Sequence, residues 1–185
     1  MLAVMLFANL AHAQQDPKAG KILDQMSQKY RSMKAFKATF AQTLENPSSK
    51  VKETMEGDIL VSGPKYRLAV SGQEIISDGK LMWTYLKEVN EVTITETDAE
   101  AEAMAPSKIF DMYRKGYKYA YAGTEKQGTD TFDVIELAPE DRSNPIFKVR
   151  LHINQKDKSL KSWQMFRNNG NRYTYTIKNF QANPT

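Results

Sequence analysis

Hydrophobic residues recur at helical spacing mainly near the beginning of the chain; almost everywhere else they alternate with polar ones. Along residues 17–33, PKAGKILDQMSQKYRSM, the positions Ile22, Leu23, Met26, Tyr30 and Met33 form one stripe behind Pro17. This predicts an amphipathic helix of about four to five turns at 3.6 residues each. After it the period falls to two. In FKATFAQTLEN, Phe36, Ala38, Phe40, Gln42 and Leu44 take one face of a strand, and Lys37, Thr39, Ala41, Thr43 and Glu45 take the other.

The turn Asn46-Pro47-Ser48-Ser49 leads into a strand over 51–61. Gly63-Pro64 ends it, and Tyr66, Leu68 and Val70 mark the next. Ser71-Gly72 and Asp78-Gly79 bound a short strand over 74–77. The hairpin that follows, SDGKLMWTYLKEVNEVTI, places Leu81, Trp83 and Tyr85 on one side with Val92 and Ile94 on its return, while Met82 and Leu86 lie among the facing positions. Short turns throughout predict an antiparallel meander with no strand–helix–strand unit, and hence no parallel nucleotide-binding sheet.

Residues 98–114, DAEAEAMAPSKIFDMYR, break the alternation. Ser107 can cap a short helix with Ile109, Phe110 and Tyr113 on its apolar side. Strands are expected again over 117–122, 131–137, 147–153, 160–166 and 173–177, the last two joined by a hairpin turn at 168–171. The layout is one long helix, about six strands, an inserted helix and about five more strands.

Composition narrows the class of protein. The 185 residues suit one domain, and 41% hydrophobic with 26% charged residues is ordinary for a globular chain. A net charge of +4 allows attraction to anionic membranes or acidic partners without demanding nucleic acid. Cysteine is absent, which removes disulfides, zinc–thiolate sites, a thiol nucleophile and lipid attachment through a cysteine. The opening MLAVMLFANLAHA is a short apolar run ending in Ala11-His12-Ala13, a signal-peptidase pattern lacking a Lys or Arg before it; a buried N-terminal helix is the alternative. The expectation is a signal peptide over 1–13 and a single exported domain over 14–185.

Catalytic and metal-binding patterns are missing. His12 and His152 are the two histidines, and His152 shares a strand face with Lys148 and Arg150, expected to point outward. No Gly-x-Ser-x-Gly elbow, metal spacing or Gly-rich phosphate loop occurs. Glu96, Asp98, Glu100 and Glu102 have alanines between the last of them and read as a solvated stretch. The basic, aromatic residues 156–178 alternate as strands with a buried face, so no nucleic-acid partner is expected. The chain is read as a non-enzyme without cofactor or metal.

A meander of about eleven strands tends to curl, and its concave face can enclose a ligand. Two amphipathic helices can then either roof a cavity or pack directly as a dry core; periodicity supports both equally.

The order FKATFAQT at 36–43, GDILVSGPKYRLAV at 57–70, IISDGKLMWTYLKEVNEVTI at 75–94 and PSKIFDMY at 106–113 resembles the periplasmic outer-membrane lipoprotein carrier family, the LolA-like proteins. The likeness spans roughly residues 20–180. It implies an incomplete antiparallel β-barrel, mainly β with an α lid, in which the N-terminal helix and the short inserted helix cover an apolar cavity. It also implies a monomer that receives triacylated lipoproteins from an inner-membrane ABC transporter complex and delivers them to an outer-membrane receptor or the outer membrane itself. Carried over by position, Phe40, Tyr66, Leu68, Trp83 and Tyr85 would line the sheet side. Ile109, Phe110 and Met112 would line the lid, joined by Leu23 and Met26 of the first helix. The family's lid-locking arginine before the proline is replaced here by Ser62-Gly63, leaving Lys65 and Arg67 as substitutes. The resemblance further implies another strand-forming segment past Thr185. A lipid- or peptide-binding sensor of the same fold is the alternative function.

Overall fold

The structure, a computed structural model, describes residues 15–97 and 109–184. Helix α1 (Pro17–Arg31) opens on Asp16, whose carboxylate accepts hydrogen bonds from the N–H groups of Lys18 and Ala19 at 2.8 and 3.2 Å. Pro17 occupies the first helical position, where its missing N–H costs nothing. Lys29 and Arg31 in the last turn suit the negative helix end.

Among the described residues eleven strands form a single sheet. In chain order they are β1 (Ala35–Asn46), β2 (Val51–Ser62), β3 (Lys65–Val70), β4 (Gln73–Ser77), β5 (Leu81–Leu86), β6 (Glu91–Glu96), β7 (Tyr117–Gln127), β8 (Asp130–Pro139), β9 (Ile146–Asn154), β10 (Leu160–Arg167) and β11 (Arg172–Ala182). In space they run β6-β5-β4-β3-β2-β1-β11-β10-β9-β8-β7. Two meanders are therefore stitched together by the antiparallel β1–β11 pair, from Phe36 opposite Ala182 to Glu45 opposite Arg172. Its register shifts once, leaving Lys178 unmatched; such bulges increase twist and help a large sheet curl. The result is the expected incomplete antiparallel barrel, open between β6 and β7.

Directly opposed residues share a face, so the register assigns every strand. The inner face, which carries α1, holds Phe36, Ala38 and Phe40 of β1, then Val61, Ile59 and Gly57 of β2, and Tyr66, Leu68 and Val70 of β3. It continues through Ser77 and Ile75 of β4 to Met82 and Thr84 of β5. On the other side it runs through Phe180 and Tyr175 of β11 to Trp163 and Met165 of β10, Leu151 and Val149 of β9, and Ile135 and Leu137 of β8.

Between β6 and β7 the described part of the insertion, residues 109–114, is a pair of turns and not a regular α-helix. Ile109 to Asp111 form a turn, and Met112–Arg114 a single 3-10 turn without a side-chain cap. The proposed cap Ser107 lies outside the described residues, as do the expected signal peptide over 1–13 and Asp98, Glu100 and Glu102.

The two edges of the sheet differ. Along β7 the Gln15 side chain donates to the Tyr117 carbonyl at 2.9 Å and accepts from the Tyr119 N–H at 3.0 Å, imitating a paired strand. Asp16 continues this: its N–H reaches the Tyr119 carbonyl at 3.4 Å and its carboxylate takes the Tyr121 N–H at 2.9 Å. Strand β6 pairs with β5 on one side and ends the sheet on the other, with all six residues exposed.

Candidate functional site: an apolar sheet face under a clasped helix

The apolar stripe of α1 meets the inner face directly. Leu23 and Met26 are fully buried among Ile135, Leu137, Val149, Leu151 and Ile153 of β8 and β9. Gly20 lets the helix approach β7, since a Cβ there would lie 3.1 Å from the Tyr119 hydroxyl. Tyr30 ends the stripe; its hydroxyl accepts the Leu160 N–H at 3.0 Å, and burial pushes its pKa up to about 12.

Around Tyr30 an aromatic knot fixes the inserted turn. The ring of Phe110 stacks on Tyr30 and meets Phe36 edge-on at 5.7 Å, while Phe180 packs against both Tyr30 and Phe36. Beside the knot runs a polar clasp between α1 and residues 111–114. Asp111 accepts from Ser27 at 2.5 Å, from Arg31 at 3.0 Å and from Arg114 at 3.2 Å. Asp24 accepts from the Tyr113 hydroxyl at 2.6 Å and lies 3.1 Å from the Arg114 guanidinium. Burial raises the Asp111 pKa, but the combined hydrogen bonds of Ser27, Arg31 and Arg114 outweigh it and hold the carboxyl below its ordinary value. The same elements push the Tyr113 hydroxyl upward, through burial first and then its bond to Asp24. Polar contacts of this kind contribute modestly when partly exposed, so the clasp guides the turn while the aromatic knot supplies most of the hold.

The apolar inner face extends past this cover. Leu68, Ile75 and Met82 lie outside the core cluster and remain half-buried, continuing the surface of Ile59 and Tyr66. Tyr66 directs its hydroxyl at the Met82 sulfur, 3.5 Å away. Across β1, Phe40 lies over Gly57, where a Cβ would stand 2.6 Å from its ring. On β10, Trp163 stacks on Tyr175 at 4.8 Å, and its indole N–H is buried without a hydrogen-bond partner among the described residues. A hollow of about 600 Å³ shares Phe40, Gly57 and Val70 with this face, but Glu56, Asp58, Lys87 and Lys178 also line it, a charged setting unsuited to alkyl chains.

The outer membrane lipoprotein carrier protein LolA family model matches residues 31–185. The chain belongs to the LolA family. Outer-membrane lipoprotein carrier proteins are similar to it over most of its length: that of Halorhodospira halophila is 26% identical over 155 residues, covering 80% of this chain and 70% of the relative. That of Edwardsiella ictaluri is 24% identical, covering 80% and 71%. Among solved structures, LprF from Mycobacterium bovis has a TM-score of 0.56 at 13% identity, covering 92% of this chain and 96% of that one. LppX from Mycobacterium tuberculosis has a TM-score of 0.55 at 10% identity, covering 92% and 98%. The MucA/MucB complex of Pseudomonas aeruginosa gives 0.52 at 15%, covering 91% and 58%. These structural likenesses concern the fold.

Within this LolA-family fold, the residues singled out from the sequence divide by face. Leu23, Met26 and Phe110 meet in the core, with Tyr66, Ile109 and Met112 packed against it. Phe40 and Leu68 share the inner face. Trp83 and Tyr85 do not join them. Register pairs Ser77 with Met82 and Ile76 with Trp83, so Met82 turns inward, and Trp83 and Tyr85 stand on the outer face beside Ile94 and Val92. Neither substitute for the lid-locking arginine reaches the lid: Arg67 is on the outer face, paired with Glu74 at 2.6 Å, and Lys65 alternates with Tyr66 onto that same face. Asp24, Ser27 and Arg31 do face the inserted turn, and their spacing along one flank of α1 is the sequence signal for them. Met82, Ile75, Trp163 and Phe180 also belong to the inner face; polar neighbours on both sides mark Trp163 and Phe180 in the sequence, whereas Met82 and Ile75 each adjoin another large apolar residue.

Proposed function

We propose that this chain is a periplasmic carrier that holds the acyl chains of lipoproteins on its inner face and ferries them from the inner to the outer membrane. The observation that carries the reading is the continuity of one apolar surface, from the core under α1 and Phe110 out to half-buried Leu68, Ile75 and Met82. About 0.8 kcal/mol per buried methylene keeps acyl chains from crossing water unaided, and many adaptable apolar contacts can hold them without a fixed polar anchor. Displacing α1 and the inserted turn from the sheet would widen that surface into a cavity. The buried, unpartnered Trp163 N–H is a donor for an ester or amide carbonyl at the head of the cargo. Leu23, Met26, Phe40, Tyr66, Leu68, Ile109, Phe110 and Met112 line the pathway. The clasp around Asp111 takes the place of the lid lock.

Partners in this reading are a triacylated lipoprotein, the inner-membrane ABC transporter complex that releases it, and an outer-membrane receptor. No helix among the described residues is long and apolar enough to cross a membrane. Native mass spectrometry of the protein with triacylated lipoprotein, followed by addition of acceptor membranes, tests the proposal. Stoichiometric loading lost on transfer is expected. A well-folded protein that never loads would overturn it and favour a sensor that recognises a protein segment, for which the β6 edge, unpaired among the described residues, offers strand addition.

A further inference from the structure

On the outer face, at the end of the sheet away from Trp83, cations gather around one aromatic ring. Register places Lys148 of β9 and Arg172 of β11 on either side of Phe166 of β10. The Lys148 ammonium stands 4.6 Å from the ring centroid, and the guanidinium carbons of Arg150 and Arg172 stand 5.7 and 5.8 Å from it. Beyond Arg172, the pairing continues to Glu45 of β1 and Lys52 of β2. On the opposite side, Lys118 of β7 alternates with inward Tyr117 and Tyr119 onto the same face.

Five cations thus share this part of the face with two carboxylates, Glu45 and Glu136. Glu136 is divided between Lys148 at 3.2 Å and Arg150 at 2.7 Å, and Arg172 makes no ion pair among the described residues. Phe147, 51% exposed, lies 6.1 Å from Phe166 and adds an apolar point to the cationic field.

Packing like charges around one ring opposes folding, and exposed cation–aromatic contacts return only about 0.5–1 kcal/mol each. The arrangement suits a negatively charged partner. From β2 to β7 the band crosses six strand spacings, a contour of about 29 Å along the convex outer surface at roughly 4.8 Å per strand. That breadth fits a surface of many phosphates better than one small anion. Exposed Phe147 among the cations fits the headgroup–acyl boundary of a bilayer, where apolar and cationic groups are both satisfied. We propose that this outer face, centred on Phe166, docks the protein on anionic lipid headgroups with its inner face turned away from the membrane. The inference stands on charge and geometry and does not require the cargo reading.

Vesicle flotation tests it, comparing phosphatidylglycerol-containing vesicles with pure phosphatidylcholine at low and high salt. The protein is expected to float with the anionic vesicles only, and less at high salt. Each band cation removed should weaken partition about fivefold, from about 1 kcal/mol per Lys or Arg near an anionic surface. Lys148→Gln/Arg172→Gln and the band-end pair Lys52→Gln/Lys118→Gln should each lose roughly twentyfold or more. Lys87→Gln/Lys178→Gln, which removes the same net charge outside the band, should lose far less. Thermal melts identify any variant that fails to fold, and the band-end pair, fully exposed, guards against that loss. Absence of wild-type flotation, or equal loss in the control pair, would overturn the proposal; flotation only when an acidic protein is present would assign the face to that protein instead. Cargo loading by the band variants should match wild type, so a failure of this inference is distinguishable from failure of the carrier reading.

Discussion

The ring of Tyr30 on α1 lies nearly parallel to that of Phe110, 3.6 Å between centroids and 11° between planes. This contact joins the helix to the inserted turn 80 residues later in the chain. Phe110→Ala should cost about 3–5 kcal/mol, the usual range for emptying a buried phenylalanine site. Urea denaturation would show it, and hydrogen exchange should speed up at the C-terminal end of α1 before it does so in β8 and β9.

The clasp predicts an acid-sensitive lid. The folded-state pKa of Asp111 is below its ordinary value, so its stabilising contribution is present above that ordinary value of 3.8 and is lost as pH falls through the lower folded value. Asp157, lowered to about 2 against burial by Lys29 and Ser159, follows the same sign where it ties α1 to the β9–β10 turn. Asp111→Asn should lower stability at neutral pH and flatten this part of the acid limb. Urea midpoints measured from neutral pH down to about 2 would read both effects; an unchanged acid limb would remove the clasp from the lid.

Two adjacent side chains provide a test of face. Met82→Glu places a carboxylate on the inner surface and should abolish acyl loading, whereas Trp83→Glu lies on the outer face and should leave loading near wild type. Native mass spectrometry separates the two, and the reverse result would shift the binding surface to the outside of the sheet.

Trp163→Phe removes the unpartnered indole N–H. Stability of the empty protein should fall by about 1–3 kcal/mol, from the smaller ring and its weaker stacking on Tyr175 and not from a lost hydrogen bond. Affinity for an ester-bearing cargo should fall by about tenfold, the effect of roughly one hydrogen bond. A comparison of ester-linked and alkyl-only ligands would distinguish lost hydrogen bonding from altered packing.

Gly57 allows Phe40 and the Ala69 carbonyl to close over β2, with a Cβ there only 2.6 and 2.7 Å from them. Gly57→Ala should therefore destabilise by about 1–3 kcal/mol despite alanine's lower backbone entropy cost. Thermal denaturation monitored by circular dichroism gives the sign directly.

Much of the architecture was legible because most strands alternate cleanly between apolar and polar positions. Phe36, Ala38 and Phe40 announced the inner side of β1, and Tyr66 and Leu68 that of β3. Strand β5 defeated the same reasoning. Leu81, Met82, Trp83, Tyr85 and Leu86 put large apolar groups on both sides, so alternation carried no direction there, and the turn between β4 and β5 set the parity. The contacts that hold the inserted turn are illegible for another reason. Lys65 and Arg67 follow closely on Pro64, whereas the clasp depends on tertiary pairing across 80 and 84 residues, where local spacing is silent. Only the placement of Asp24, Ser27 and Arg31 along one flank of α1 pointed to it, together with the i,i+3 pair Asp111 and Arg114.

The unequal edges of the sheet govern how copies of this chain can associate. A fibre built by head-to-tail strand addition requires each molecule to offer two receptive borders, one to give and one to receive. Here the Tyr117–Tyr121 part of β7 is already occupied by Gln15 and Asp16, which shortens the border left for a second strand. Symmetric β6-to-β6 pairing would bring Glu91 of one copy opposite Glu96 of the other at both ends of the joint. A sheet whose apolar inner face is only partly covered is thereby hindered from polymerising by two residues at one border and two carboxylates at the other.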